Sequence, residues 1–404
     1  MKKKIYKFLD YKILVILFIL LRFCMFFVLK ADKFQFVTGD GHEYKYVANA
    51  LINGKGFVSY EWNMLKRAYL GDNYFYVGDP VYPLFLTSFY LLNLSDEIIV
   101  LLSNLILYLF ICYIFTKIIN FYIYEFKIKY TLLLFICLNL YLQYYSFKLL
   151  TELLRVFIFV IFFYLLFKLY KSKNTIKKQT LIYFGMFIGV FILTRISFMF
   201  VPLLLIPLII KKLENKWYYI VFYFVGFLII IVPWVYRNYH NFGLITLDVR
   251  LSKTVFENAT KDYTILRITD NKKYVDLKDM SNNEKKRFIG SFELKPFEKI
   301  KLYILRIKEL FKPFPTGEPY NKFIFQIFTF IFNIPYLFGL IYFLFNPKHY
   351  KNIFTVTLIL SVLSFIGIHI INNGPHYRYM LPLVPLGYLY CGIYIQNKIN
   401  FNGG

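Results

Sequence analysis

Apolar stretches separated by short basic loops make up most of this chain. The stretches run for 14 to 24 residues, and a helix needs about 20 apolar residues to cross a bilayer. They lack the two-residue alternation of a membrane β-barrel, so helices are the expected spanning form. The candidate spans are residues 11–30, 98–118, 130–147, 150–170, 181–194, 196–211, 217–236, 322–345, 352–371 and 378–396. The pattern predicts an all-α integral membrane protein, a polytopic helical bundle of about 10–11 spans, with residues 1–404 as a single domain.

Two long polar segments, residues 31–79 and 237–321, interrupt the pattern and are expected as outer loops on one side of the membrane. In the first loop, a short amphipathic helix over Tyr44 to Leu51 is predicted to lie along the membrane surface. In the second, apolar residues at 3-4-3-4 spacing from Phe297 to Phe311 predict a further interfacial helix or packing onto the outer ends of the spans.

Composition and charge orient the predicted bundle. Apolar residues make up 58% of the chain, against roughly 45–50% in soluble domains. The formal charge of +25 comes from lysines that lie mainly in short loops beside the spans. This placement is typical of cytoplasmic loops near anionic lipid, and it argues against nucleic-acid binding. The N-terminus is therefore expected in the cytoplasm. The excess of Lys, Asn, Ile, Tyr and Phe is typical of AT-rich genomes, so a bacterial cytoplasmic membrane is the expected location.

Whether this orientation keeps all the basic loops in the cytoplasm depends on the apolar helix expected at residues 80–94. At 1.5 Å per residue it would be only about 22 Å long. If it crossed the bilayer, Lys127 and Lys129 would lie outside, against the rule that lysines stay inside. We therefore favour a helix that only dips into the bilayer.

The polar segment after the first span places a carboxylate where a helix leaves the bilayer. Its residues from Asp40 to Tyr44 read Asp-Gly-His-Glu-Tyr. Asp40 and Glu43 would share one face of a helical turn and could act in one pocket, as a general base or a metal ligand. The competing interpretation is a helix cap, with Asp40 as N-cap residue and Glu43 completing a capping box. His42 fits a surface histidine better than a ligand. The sequence requires no cofactor, and no ligand cluster supports a divalent metal.

Three further charged residues lie within or between the spans. Arg22 lies in the first span, where a charge is costly, so it is either functional or snorkels to the outer head groups. Arg195 and Glu152 are expected at outer turns between spans, and each is either functional or a plain polar loop residue. Arg195 and Glu152 are expected on the same side of the membrane as Asp40, which favours one common site. The four cysteines lie in apolar segments without paired spacing, which indicates neither disulfides nor a thiolate metal site.

Arginine beside aromatic residues marks the ends of two later spans. Pro233-Trp234-Val235-Tyr236-Arg237-Asn238 closes one span, and Pro375-His376-Tyr377-Arg378-Tyr379 opens the last. Anchoring by interfacial aromatics is the ordinary explanation. The functional alternative is phosphate capture, for which a guanidinium offers a bidentate fork and a permanent charge. A substrate that is both apolar and phosphorylated would suit the whole arrangement.

These elements together resemble the glycosyltransferase C superfamily, most closely its protein mannosyltransferase and lipid A aminoarabinose transferase branch. The resemblance extends over nearly the whole chain. It rests on Asp40, Tyr44 and Ala48, the turn at Gly54 and Gly56, Pro80 to Leu84, Thr194-Arg195, Pro-Trp-x-x-Arg-Asn at 233–238 and Arg-Tyr-x-x-Pro at 378–382. The family frequently has adjacent Asp and Glu, whereas here Gly41 and His42 separate Asp40 from Glu43.

The resemblance implies transfer of a sugar from a polyprenyl-phosphate donor to a lipid, glycan or protein acceptor on the outer face of the membrane. Asp40 would be the catalytic base, and attack opposite the departing phosphate would invert the anomeric centre. The donor phosphate would be bound by Arg237, Arg378 or Arg195. Residues expected to line the site are Glu43, His42, Tyr44, Glu152, Asn238, Tyr379 and Arg22.

Two other functional classes fit parts of the pattern. A transporter or flippase for lipid-linked glycans would use intramembrane arginines without catalysis, although the internal repeats typical of transporters are not seen. A polysaccharide polymerase or ligase would also use lipid-linked glycans and outer-loop arginines, but it would not need Asp40.

Overall fold

The computed structural model describes most of the apolar part of the chain. The described residues are 34–58, 76, 78–171, 176–247, 323–346, 353–371 and 377–402, with isolated positions between 16 and 30 and between 304 and 311. Most of the second polar loop lies outside them, and so does most of the interfacial helix expected between Phe297 and Phe311.

The described residues form helices and connecting turns, without a β-strand. In chain order the helices are α1 (Asp40–Ile52), α2 (Val81–Tyr90), α3 (Asp96–Tyr122), α4 (Phe126–Leu138), α5 (Leu140–Ser146), α6 (Glu152–Lys171), α7 (Lys178–Thr194), α8 (Val201–Leu213), α9 (Ile220–Phe242), α10 (Phe323–Phe345), α11 (Ile353–Ile371) and α12 (Val384–Asn402). Short 3-10 helices cover Ile196–Phe198, Glu214–Tyr219 and Tyr377–Leu383. An apolar helix between Phe18 and Phe27 precedes them.

Several of these helices suit a membrane. Four are long and apolar enough to cross one: Asp96–Tyr122, Glu152–Lys171, Ile196–Leu213 and Lys216–Phe242. The pair α4 and α5 adds a fifth candidate. These helices confirm the all-α class and indicate a multi-pass membrane protein, while the count of 10–11 spans stays a prediction.

One predicted span is not a continuous helix. Residues 130–147 divide at Asn139 into α4 and α5, whose axes differ by 42°. The Asn139 Oδ1 atom accepts a hydrogen bond from the Leu142 backbone N–H at 3.0 Å and so begins a new helix. Its amide donates to the hydroxyl of Tyr388 in α12 at 2.8 Å. The side chain thus replaces backbone hydrogen bonds that the break leaves open.

Two predicted helix boundaries also change. The last long helix begins at Val384, and the expected start at 378 is instead a 3-10 helix, Tyr377–Leu383, that includes Pro382. Helix α2 has ten residues and is therefore about 15 Å long, too short to cross a bilayer. This length supports a helix that only dips into the bilayer.

Long-range contacts define two opposite ends of the bundle. At one end, the Gln396 side chain of α12 accepts a hydrogen bond from the Tyr124 backbone N–H, just after α3, at 2.6 Å. Phe167 packs on Tyr122 at this end, and the Nζ atoms of Lys171 and Lys212 lie 5.7 and 5.5 Å from the ring centroids of Phe167 and Tyr170. At the other end, Arg378 lies beside Glu152, the first residue of α6. The lysine-rich end and the carboxylate-bearing end are therefore separated by the length of the helices.

Glycines allow two helix pairs to approach closely. A Cβ at Gly226 of α9 would overlap the carbonyl oxygen of Ile182 in α7, and a Cβ at Gly339 of α10 would overlap that of Gly387 in α12. In lipid, burial of apolar surface contributes little to helix association, so close packing has to hold the helices together. Small residues at the crossing points allow that packing.

We expect Gly226→Ala to destabilise the protein because the added methyl must push α7 and α9 apart, an overpacking cost of about 1–3 kcal/mol. Gly367→Ala in α11 is the matched control, since a Cβ there meets no atom within 4 Å. The measurement is the midpoint of thermal unfolding of the purified protein in detergent. Equal midpoints for the two variants would contradict the close packing of α7 on α9.

Candidate functional site

The start of α1 holds Asp40 in a fixed but exposed position. The N-cap residue is Gly39, with φ +51°, and Asp40 is the first residue of the helix, with a side chain 61% exposed. The capping box predicted as an alternative is therefore wrong, because Asp40 is not the N-cap. A Cβ at Gly41 would lie 2.7 Å from the Leu149 carbonyl oxygen, so only glycine lets α1 approach this turn so closely. The Leu149 N–H donates to the Phe36 carbonyl at 2.9 Å and fastens the same junction.

Arg378 connects Asp40 to a buried carboxylate. Its Nη2 lies 3.9 Å from Asp40 Oδ2, and its Nε lies 3.5 Å from Glu152 Oε1. Burial by itself lowers the pKa of Arg378, but the neighbouring Glu152 carboxylate and Tyr379 together raise it above its usual value. The guanidinium therefore stays charged between the two carboxylates.

The first turn of α6 buries an ion pair. Glu152 and Arg155 are 2% and 3% exposed, and Arg155 Nη2 lies 3.2 Å from Glu152 Oε1. Arg155 Nε also donates to the Thr151 hydroxyl at 3.0 Å. The same Glu152 oxygen thus faces two guanidiniums, those of Arg155 and Arg378. Of the two interpretations that the sequence allowed for Glu152, the plain polar loop residue is therefore wrong.

Three guanidiniums surround the ring of Tyr379. The Cζ atoms of Arg155, Arg195 and Arg378 lie 5.6, 5.3 and 5.2 Å from its centroid. Arg195 also pairs with Asp79, with 3.4 Å between Nη1 and Oδ2. Burial raises the pKa of the Tyr379 phenol, but the charges of Arg378, Arg195 and Arg155, with a hydrogen bond from Arg378, lower it overall.

Tyr44 completes the cluster from α1. Its ring packs edge-on against Tyr82 of α2, with centroids 5.0 Å apart. Burial and the nearby carboxylates of Asp40 and Asp79 raise the pKa of its phenol, so it stays protonated and can donate a hydrogen bond. The structure thus brings together six of the residues that the sequence singled out: Asp40, Tyr44, Glu152, Arg195, Arg378 and Tyr379.

A pocket of about 310 Å³ opens where these elements meet. Its lining residues are Thr38, Gly39, Asp40, Tyr144, Tyr145, Lys148, Leu150 and Arg378. Lys148 lies between aromatic rings, with Nζ 4.7 Å from the Tyr144 centroid and 5.6 Å from that of Phe34. The pocket therefore offers one exposed carboxylate and two cations in one small space.

Arg237 and Asn238 do not line this pocket. Arg237 Nη2 donates to the Phe57 carbonyl at 2.9 Å, and its Cζ lies 4.8 Å from the Trp234 ring. The Asn238 amide donates to the Thr246 carbonyl at 2.9 Å. The Arg237 bond joins the first polar segment to the end of α9, and the Asn238 bond joins the end of α9 to the residues that follow it. The phosphate-binding role of Arg237 stays a prediction.

Arg22 is buried rather than exposed to head groups. Its guanidinium donates to Gln143 Oε1 at 2.9 Å and to the Ser146 carbonyl at 3.2 Å, and it lies 4.0 Å from the Phe147 ring centroid. The snorkelling alternative is therefore wrong, because the charge faces α5 inside the bundle. His42 is exposed and Glu43 half-buried, and neither lines the pocket.

Sequence reasoning missed Arg155, Asp79 and Lys148. Arg155 lies inside a predicted span, and the rule that intramembrane charges mark functional sites could have found it. Asp79 precedes Pro80 at the start of an apolar run, and Lys148 lies between two spans. For these two the sequence carries no local signal that separates them from ordinary loop charges.

Chemically, the site combines an exposed carboxylate with cations that can hold an anion. In the part of the chain that the structure describes, no three His, Cys, Asp or Glu residues converge as metal ligands. No protein-family model matches this chain, and no curated protein or solved structure shows significant similarity to it.

Proposed function

We propose that this protein is a membrane glycosyltransferase that moves a sugar from a polyprenyl-phosphate donor to an acceptor hydroxyl, with Asp40 as general base. The observation that carries the proposal is the pocket in which Asp40, Arg378 and Lys148 meet. A base must be able to reach its substrate, and Asp40 has the most exposed carboxylate in the cluster around Tyr379.

The chemistry needs one base and one anion site. Asp40 takes the proton of the acceptor hydroxyl while the hydroxyl oxygen attacks the anomeric carbon. The bond from that carbon to the phosphate oxygen breaks, and the phosphate leaves with the electron pair. Arg378 and Lys148 stabilise the negative charge of the phosphate. Because the phosphate leaves without needing a proton, no second carboxylate has to act as an acid, and attack from the opposite face inverts the anomeric centre.

The position of the pocket supports a lipid-linked donor. It lies at the end of the apolar bundle, where a polyprenyl chain can remain in the bilayer while its phosphate reaches Arg378 and Lys148. We assign the lysine-rich end to the cytoplasm, as lysines prefer that side. The site then lies on the outer face of a bacterial cytoplasmic membrane, and the helices cross about ten times, with α2 dipping only.

Replacing the proposed base tests this assignment. We expect Asp40→Asn to lower sugar transfer by about a hundredfold or more, because general bases contribute roughly 10²–10⁴. Donor binding and expression should persist, since the Asp40 side chain is exposed. The measurement is turnover of a panel of polyprenyl-phosphate sugars in membranes that contain the native or variant chain.

Glu97→Gln is the matched control for this experiment. Glu97 lies at the same end of the bundle, 38% exposed, in a 3.4 Å pair with Lys30, and such surface pairs contribute about 0–1 kcal/mol. Its transfer rate should equal that of the native chain. Unchanged sugar transfer by Asp40→Asn would contradict the assignment of Asp40 as the general base. Absence of turnover by the native chain would favour the transporter instead.

A second pair of variants tests which arginine binds the phosphate of the donor. Arg378→Lys keeps the charge but loses the planar fork that reaches both Asp40 and Glu152. We expect it to lower kcat/KM for the donor by about tenfold or more. Arg237→Lys should cost less, because Arg237 binds a backbone carbonyl outside the pocket. A larger loss for Arg237→Lys would assign the phosphate to Arg237 instead.

A further inference from the structure

Arg378 holds two carboxylates of very different character. Glu152 is 2% exposed and also pairs with Arg155, so it is fixed inside the protein. Asp40 is 61% exposed and lies 3.9 Å from Arg378, near the limit for an ion pair. Of these two carboxylates, Asp40 is the one that can leave Arg378 without exposing a buried charge.

The pocket opens at this weaker contact. Asp40 and Arg378 both line it, whereas Glu152 does not. Because the Asp40 carboxylate lies 3.9 Å from Arg378 Nη2, an anion that approaches this nitrogen through the pocket also approaches Asp40. Two anions at one guanidinium repel each other, so the entering anion and Asp40 compete for it.

We propose that the donor phosphate displaces the Asp40 carboxylate from Arg378, so that binding of the donor itself releases the catalytic base. In the empty site Asp40 serves, beside Glu152, as a second counterion of Arg378. When phosphate takes over that role, Asp40 is free to turn toward an acceptor hydroxyl. This inference rests on the proposed function. It also implies an order, in which the donor binds before the acceptor can be deprotonated.

The displacement predicts an unusual effect of removing the base. Because Asp40→Asn removes the competing anion, we expect it to bind a phosphate lipid about threefold to tenfold more tightly than the native chain. The probe is farnesyl phosphate, which carries no sugar and cannot react. The measurement is its dissociation constant with the full-length protein in detergent, by titration calorimetry at low salt. Glu97→Gln removes an equal charge outside the pocket and should leave the constant unchanged.

A double-variant comparison tests whether Arg378 carries the effect. In an Arg378→Gln background, Asp40→Asn should no longer tighten binding, because the shared partner is gone. If the Arg378→Gln protein does not fold, Lys148→Gln serves as the background instead, with the opposite expectation. Lys148 has no carboxylate within ion-pair distance among the described residues, so there Asp40→Asn should keep its full gain.

The outcomes separate this inference from the proposed function. Equal or weaker binding of farnesyl phosphate by Asp40→Asn would overturn the displacement, even if that variant had lost sugar transfer. An undiminished gain in Arg378→Gln, or a lost gain in Lys148→Gln, would also overturn it. A gain in Asp40→Asn that depends on Arg378 supports the displacement. The transfer assay fails or succeeds independently of these titrations.

Discussion

An ionised carboxylate inside a bundle of apolar helices is costly unless cations and hydrogen-bond donors surround it. Glu152 meets this constraint with Arg155, one helical turn further along α6, and with Arg378, more than two hundred residues away in sequence. The requirement for neutralisation thus ties the segment before α12 to the start of α6. Because Arg378 is held there, its Nη2 atom lies 3.9 Å from Asp40 at the pocket that both residues line.

The same constraint explains how three guanidiniums share the ring of Tyr379. Like charges at this spacing repel, but Arg155 and Arg378 face Glu152, and Arg195 faces Asp79. The ring fills the space between the guanidiniums and offers its negative face to them. The cluster is therefore built from ion pairs, and the pair of Arg378 with Asp40 is the one whose carboxylate is most exposed.

Sequence periodicity was sufficient for most helices, because the bilayer sets both their length and their polarity. It was also sufficient to place Asp40, Glu152, Arg195 and Arg378 on one side, since successive spans alternate in direction. It failed where a distant partner decides the outcome. The break at Asn139 depends on its own cap and on Tyr388 of α12. The roles of Arg155 and Asp79 depend on how α6 and α7 meet the 3-10 helix before α12, which no local pattern encodes.

Arg22 supports one wall of the pocket. It lies in the first apolar helix and bonds to Gln143 and Ser146 of α5, and the end of α5 carries Tyr144 and Tyr145 of the pocket. Removing the hydrogen-bond acceptors of a buried arginine costs much free energy, because its charge is then left unsatisfied. The first helix therefore cannot move away from α5 without that cost. The bend at Asn139 and this buried contact together fix one wall of the pocket, whereas the Asp40 side chain that also lines it is 61% exposed.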